Sequence, residues 1–337
     1  MKKITILDPA DFAGGAELSV VDLVKALAEK ADFTILETGK ISRKFPKNVQ
    51  KKVFFFPKLR PFRLFLFLKT LFRLRAFLRK NPPEILHSNS VRAGFFCAFS
   101  GVKKWTHFAH DFTTPRFLAT IFCRAKIIFA CSEAVKNDLI SKKIPAKKIK
   151  VVFNGVEIPQ NFPQKKRNFR QKIAILGRID PWKGHELFLK VAEKMPENDF
   201  LIFGAAEKKF EKYEKKLRKT SGKNVFFEGF QNPKTIFKKI DATLHLSQKK
   251  EPFGRVILES LAHQIPVFAM ENEIFSGKIL KTFSLSQKNP AEIAAKIRDF
   301  FRDKNLQKDF KKAAKTEAEK FEKKKWAEKI WKIWKNL

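Results

Sequence analysis

Lys172-Ile-Ala-Ile-Leu-Gly-Arg-Ile-Asp-Pro-Trp-Lys-Gly184 passes from an apolar strand, residues 172–176, into a loop that opens at Gly177 and closes at Gly184, and residues 185–194 continue at helical spacing. An apolar run of this length, bounded by glycine and followed by a helix, is one unit of a sheet with helices packed on it. The same unit opens the chain, where residues 3–7 lead through Gly14-Gly15 to Leu18, Val21, Leu23, Val24 and Leu27. Between these two starts the pattern recurs, with strands expected at 33–37, 53–56, 84–87, 106–109 and 127–131 and helices at 61–79, 91–100 and 133–141. Beyond Gly184 strands are expected at 199–203, 225–228, 242–246 and 266–269, with helices at 208–220, 234–238 and 256–263. Repeated alternation of strand and helix predicts an α/β chain with doubly wound, mostly parallel sheets.

The restart at Lys172 divides the chain. Residues 160–171 are polar, aperiodic and contain a proline, so they read as a linker between a domain at 1–159 and a second at 172–318, with a helical tail at 319–337. A length of 337 residues, 44% hydrophobic and 31% charged, suits two globular domains and excludes collagen, low complexity and disorder. Three cysteines without a Cys-x-x-Cys pair make a disulfide framework or zinc site an unexpected reading and fit a reducing compartment. The opening apolar stretch ends at Asp8, too short for a signal peptide, and no run approaches bilayer length, so a cytoplasmic protein is expected. The formal charge is +37, from 71 Lys and Arg against 34 Asp and Glu, and it is spread over both halves. Such an excess points to an anionic partner or surface, or to nothing more than lysine-rich composition.

Three constellations carry chemistry. Gly14-Gly15 stands where a strand turns into a helix, a place that suits phosphate or a plain turn. Arg178 and Lys183 put two cations on the loop after a strand of the second domain, suited to a diphosphate that gains charge as it leaves, or simply to a solvated loop. Ser247-Gln-Lys-Lys-Glu-Pro-Phe-Gly-Arg-Val-Ile-Leu-Glu259 sets Glu251 before a helix and Glu259 within it, with Gly254 at the helix start. The pair could hold a nucleotide and a sugar, act as glycosidase acid and nucleophile, or be two surface carboxylates. The glycine-opened helix favours the first.

Taken in order, Gly14-Gly15-Ala16-Glu17, Ser132, Asn154-Gly155-Val156, Gly177-Arg178, Lys183-Gly184 and Glu251 with Glu259 resemble the retaining glycosyltransferases of family 4, group 1, over nearly the whole chain. The resemblance implies the GT-B fold, two Rossmann-like domains facing a cleft, the first binding an acceptor and the second a nucleotide-sugar donor, with the last helix returning to the first domain. It implies transfer of a hexose to a glycan or lipid-linked acceptor. By the same analogy Arg178, Lys183, Glu251 and His110 carry catalysis, with Arg178 and Lys183 on the donor diphosphate, Glu251 on the transferred sugar and Glu259 on the ribose. Gly14, Gly15 and the backbone of Phe253, Gly254 and Val256 complete the substrate site, and His107 is structural. No Asp-x-Asp occurs, so neither a metal nor another cofactor is expected. The chain departs from the family after Glu259, where Met270 to Gly277 contains one glycine in place of a glycine-rich loop.

Residues 59–80 combine seven Lys and Arg with five Phe and a run of Leu. They resemble a helix lying on anionic lipid, Arg60, Arg63, Arg73, Arg75 and Arg79 toward headgroups and Phe62, Phe65, Phe67 or Phe72 below them. A crossover helix packed on its own sheet is the competing reading. Two other functions stay open at this stage: a nucleic-acid or polyanion binder resting on charge alone, although no specific nucleic-acid motif is visible, and a sugar-binding relative without transferase activity.

Overall fold

The computed structural model describes residues 1–10, 15–39, 45–58, 64–160, 169–270, 281–286 and 288–337. In the first part of the chain β1 (Lys2–Asp8) lies between β2 (Ala31–Glu37) and β4 (Ile85–Ser88), so that Ile4 pairs with Phe33 on one side and Ile85 on the other. Residues 4–8 of this central strand are all buried, because helices cover both faces of a parallel sheet and leave no polar side to alternate toward. With β3 (Gln50–Val53), β5 (Trp105–Ala109), β6 (Ile127–Ala130) and β7 (Ile149–Val151) the order is β3-β2-β1-β4-β5-β6-β7, every pair parallel. The crossovers are α1 (Gly15–Leu27), α2 (Leu64–Lys80), α3 (Val91–Phe99), α4 (Arg116–Phe122) and α5 (Glu133–Ser141). Ser90 and Ser132 each accept a backbone N–H and so cap α3 and α5.

The second sheet repeats the plan. β8 (Lys172–Leu176) is flanked by β9 (Asp199–Phe203) and β11 (Ala242–His245). β10 (Val225–Gly229), β12 (Val267–Met270) and β13 (Ser284–Leu285) complete the all-parallel order β10-β9-β8-β11-β12-β13. Its helices are α6 (His185–Glu193), α7 (Glu211–Thr220), α8 (Pro233–Lys239), α9 (Arg255–Ala262), α10 (Pro290–Arg302) and α11 (Lys304–Glu319). One compact unit is residues 156–322; the other is residues 1–155 with 323–337. The boundary falls at Val156, whose N–H donates to the Phe321 carbonyl at 2.8 Å; residues 161–168 of the expected linker lie outside the described residues.

The last helix, α12 (Lys323–Lys335), belongs to the first unit. Trp326, Ile330 and Trp334 are buried there, Trp334 Nε1 donates to Thr106 Oγ1 at 3.2 Å, and Lys323 Nζ donates to Asp22 at 2.8 Å on α1. The third strand lies earlier than expected, at 50–53. Phe54 and Phe56, which the expected strand at 53–56 included, lie beyond β3 and pack on one another with tilted rings 5.2 Å apart, and Phe56 packs on Phe96 of α3.

His107 on β5 is enclosed in this core, with Nδ1 2.9 Å from Ser88 Oγ and Nε2 without a partner. Burial drives its pKa from 6.5 to about 3. The unfolded chain therefore binds a proton at higher pH than the folded one, so this contribution to stability is complete above pH 6.5 and is lost as pH falls toward 3. Urea unfolding at neutral and acidic pH should show that loss, and His107→Gln should show a smaller one; an equal loss in the variant would contradict the assignment.

Candidate functional site

In doubly wound sheets ligands collect at the carboxyl ends of the strands where the strand order reverses. In the second unit that point lies between β8 and β11. The loop after β8 holds Gly177, Arg178 and a short 3-10 turn, Pro181–Lys183, capped by the Asp180 carboxylate, which accepts the Trp182 N–H at 3.2 Å. The loop after β11 runs from Leu246 to Glu251. The two are fastened together: the Gln248 N–H donates to the Trp182 carbonyl at 2.6 Å, and Gly184, at φ +84°, sits so close that a Cβ there would lie 2.1 Å from the Leu246 carbonyl oxygen. Only glycine fits both the left-handed backbone and the gap.

This fastening delivers Lys183 to Glu251. The Lys183 ammonium lies 3.1 Å from each carboxylate oxygen and 4.0 Å from the centre of the Trp182 ring. Glu251 Oε2 also accepts from Ser247 Oγ at 2.7 Å and lies 3.3 Å from His245 Nε2. Burial alone would raise the Glu251 carboxyl, but the contacts with His245, Lys183 and Ser247 outweigh it and hold the group at about 2. Burial likewise draws the Lys183 ammonium below its ordinary value, against the opposing pull of Glu251. Arg178 stands near enough for its charge to disfavour that of Lys183, and its guanidinium pairs with Glu207 beyond β9. The carboxylate opens on a cavity of 390 Å³ lined by His245, Ser247, Glu251 and the lysines 249, 250 and 288.

Gly254, at φ +85°, precedes α9, and among the described residues no side chain caps that helix start. Glu259 on α9 accepts from Arg255 Nε at 2.8 Å. Phe253 is buried, and the Val256 side chain packs against the core made by Ala174, Leu176, Leu201 and Phe203, which leaves its main chain as the part available to a ligand.

In the first unit the reversal lies between β1 and β4. Gly15 begins α1 and its carbonyl accepts from Ser19 Oγ at 2.9 Å. Gly14 lies outside the described residues, as do residues 271–277 of the loop that departs from the family. Asn89 joins the edge together, its Nδ2 donating to the Ala16 carbonyl at 3.1 Å and its Oδ1 lying 2.8 Å from His110 Nε2. The His110 ring stacks on Phe108, centroids 4.2 Å apart.

Residues 13–159 match the model of Glycosyltransferase Family 4, and residues 157–317 match that of Glycosyl transferases group 1. The chain belongs to the group 1 glycosyltransferases of family 4. It is similar to an uncharacterized glycosyltransferase of Methanocaldococcus jannaschii, 26% identical over 58% of this chain and 54% of that one. It is also similar to the O-antigen biosynthesis glycosyltransferase WbnH of Escherichia coli, 24% identical over 62% and 64%. These alignments span less than two thirds of the relatives' lengths. HepE of Anabaena, solved in complex with UDP and glucose, shares the GT-B fold over 100% of both chains, at 20% identity and a TM-score of 0.83. Sucrose-phosphate synthase of Thermosynechococcus elongatus does so over 100% and 99%, at 15% identity and 0.82.

Within this family 4 chain the structure joins Lys183 to Glu251 with Arg178 nearby, sets Gly254 before α9 and Glu259 on it paired with Arg255, and links His110 through Asn89 to Ala16 beside Gly15. His245, Ser247, Glu207 and Asn89 are partners that motif spacing passes over. His245 and Ser247 had a signal, being two residues apart at the end of a strand and so on one face; Glu207 and Asn89 had none.

Lys183 and Glu251 are about 15% exposed, so removing one leaves the other as an uncompensated, largely buried charge. Glu251→Leu or Lys183→Met alone should cost about 3 kcal/mol, and the double variant should recover most of it. Additive losses in the double-mutant cycle would show that the pair is not coupled.

Proposed function

We propose that this chain transfers a hexose from a nucleoside diphosphate sugar to a glycan or lipid-linked acceptor with retention of configuration. The observation that carries the proposal is the Lys183–Glu251 pair, set beside Arg178 at the switch point of the second sheet. Transfer breaks the bond between the anomeric carbon and the β-phosphate oxygen, and the electron pair leaves with the diphosphate. The proposal assigns Lys183 and Arg178 to the charge that grows there, with the N-terminus of α9 behind Gly254 holding phosphate through main-chain N–H groups. Two side-chain cations at the leaving group supply what a metal ion would supply elsewhere, so transfer is proposed to need neither metal nor other cofactor.

Glu251 remains ionised at neutral pH and offers carboxylate oxygens to sugar hydroxyls, and Glu259 offers its own to the ribose. The cavity beside Glu251 is within the size of small-ligand pockets. Gly15 and His110 stand at the ligand-binding edge of the first unit, which is assigned the acceptor. HepE, solved with UDP-glucose, supports a nucleotide-sugar donor, and WbnH, named for O-antigen biosynthesis, supports a cell-envelope glycan. The proposed place of action is the cytoplasm, at the inner membrane face when the acceptor is lipid-linked. Among the described residues no helix is long and apolar enough to cross a membrane.

A panel of UDP-, GDP- and ADP-sugars scored by thermal shift tests the donor assignment, since a ligand of the folded state raises the melting temperature. At least one should do so, and a panel without effect would sink the reading. With that donor, Lys183→Ala and Arg178→Ala should each lower turnover by about a hundredfold or more while melting cooperatively. His245→Ala should retain the shift given by the nucleoside diphosphate and lose the extra shift given by its sugar, because only the sugar reaches Glu251. Turnover should persist in EDTA; a strict Mg²⁺ or Mn²⁺ requirement would overturn the metal-independent mechanism.

A further inference from the structure

The helix α2 has more apolar surface than its sheet can cover. Its core face is Thr70, Leu71, Leu74 and Leu78, all buried. Phe67 belongs to the same side, its ring 5.0 Å from Phe95, 4.8 Å from Phe96 and 6.4 Å from Phe99. Arg75 also turns inward and donates to the Phe99 carbonyl at 2.9 Å. Phe67 and Arg75 are therefore crossover-helix residues and not lipid contacts, which corrects the expectation for these two. Arg60, Phe62 and Arg63 lie outside the described residues.

A second apolar face remains. At about 100° per residue, Leu64, Leu68, Phe72, Phe65 and Ala76 fall within about 120° of one another, a sector that also holds the inward-turned Arg75 and, at the carboxyl end of the helix, the exposed Arg79, a cation for the headgroup level. Leu64 is 62% exposed, Phe65 76% and Phe72 65%. Lys69, Lys80 and Arg73 follow within about the next 60° and are exposed as well. The patch continues onto the sheet edge, where Val53 and Phe55 are more than half exposed beside Lys51 and Lys52, and Lys52 Nζ lies 4.7 Å from the Phe77 ring centre on α2. Charge is equally one-sided: between Glu37 and Asp111 the sequence has one acidic residue, Glu84, against seventeen Lys and Arg.

We propose that this face of the first unit docks on an anionic lipid bilayer, with Leu64, Phe65, Leu68 and Phe72 at the acyl boundary and Lys69, Arg73 and Lys80 among the headgroups. A polyanion in water would match the cations but leave the apolar face wet, and a protein groove would match the apolar face but has no use for so many uncompensated cations. A bilayer with negative headgroups satisfies both at once, the apolar residues by burial and the cations by the surface potential. The inference stands on α2 and β3 and not on the donor site, so it holds or fails apart from the transfer reading.

Co-sedimentation with vesicles tests it. The protein should bind vesicles of phosphatidylglycerol and phosphatidylcholine in equal parts, bind pure phosphatidylcholine weakly, and be released by salt. The triple reversal Lys69→Glu, Arg73→Glu, Lys80→Glu should weaken binding about a hundredfold, since each basic residue at the surface is worth about fivefold. Phe65→Ser with Phe72→Ser leaves the net charge unchanged and should weaken it at least about tenfold. Both sets alter exposed side chains, and thermal melting reads their folding. The charge-matched control Lys212→Glu, Lys215→Glu, Lys219→Glu on α7 should bind nearly as the unaltered protein does. The proposal is overturned by absent vesicle binding, by equal loss in the control and the α2 reversal, or by unimpaired binding of the Phe variant, the last of which would leave a polyanion surface in its place.

Discussion

The contact between Gly184 and the Leu246 carbonyl governs the second unit's site. Two loops that leave adjacent strands at a reversal of strand order diverge unless something joins them. A left-handed glycine without a side chain lets the main chains touch, and the Gln248 to Trp182 hydrogen bond holds them in register. Lys183 reaches Glu251 because its own residue ends the turn that Gly184 closes. Ser247 and His245 reach the same carboxylate because they leave β11 on the side the contact faces. A methyl group at 184 would separate all four.

Three cations of this site are paired with carboxylates before any ligand arrives, while Lys249, Lys250 and Lys288 line the cavity beside them. Arg178 has Glu207, Lys183 has Glu251 and Arg255 has Glu259, in a protein whose overall charge is +37. The local balance differs from the global one. A bulk field attracts any polyanion, whereas a site whose cations are already held by carboxylates favours a ligand that satisfies both members of each pair. A sugar diphosphate has phosphate for the cation and hydroxyls for the carboxylate, and a bare phosphate has only the first.

Much of this was legible in the sequence because the elements that matter are buried on both faces. Strands β4, β5 and β11 are buried along their whole length and β1, β8 and β9 along most of it, with β8 and β9 near-continuous apolar runs, and the glycines after β8 and before α9 mark the turns that the chemistry needs. The edge strands β7 and β13 were not legible: they span only Ile149–Val151 and Ser284–Leu285, too few residues to show a period. β3 is exposed throughout and defined by pairing with β2 alone. Asn89 and Glu207 gain their roles from neighbours 73 and 29 residues away, so no local pattern could have announced them. In α2 composition told that the helix was both basic and apolar, but only burial sorted Phe67 and Arg75 from Phe65 and Arg73.

The placement of α12 affects how the protein is made. The first unit is closed by the last segment of the chain, with Trp326, Ile330 and Trp334 filling its core and Lys2 Nζ donating to the Trp334 carbonyl at 2.7 Å. During synthesis the strands of the first sheet leave the ribosome early, yet the side chains that complete their packing leave only after the whole of the second unit. The second unit, continuous from 156 to 322, has all its residues before that moment. Domains fold as units as they emerge, so the second unit has its whole sequence available first, and the first unit keeps an apolar surface uncovered until residues 323–335 emerge. A chain stalled with residue 322 just clear of the ribosome would carry a second unit with all its residues and a first unit without its last helix.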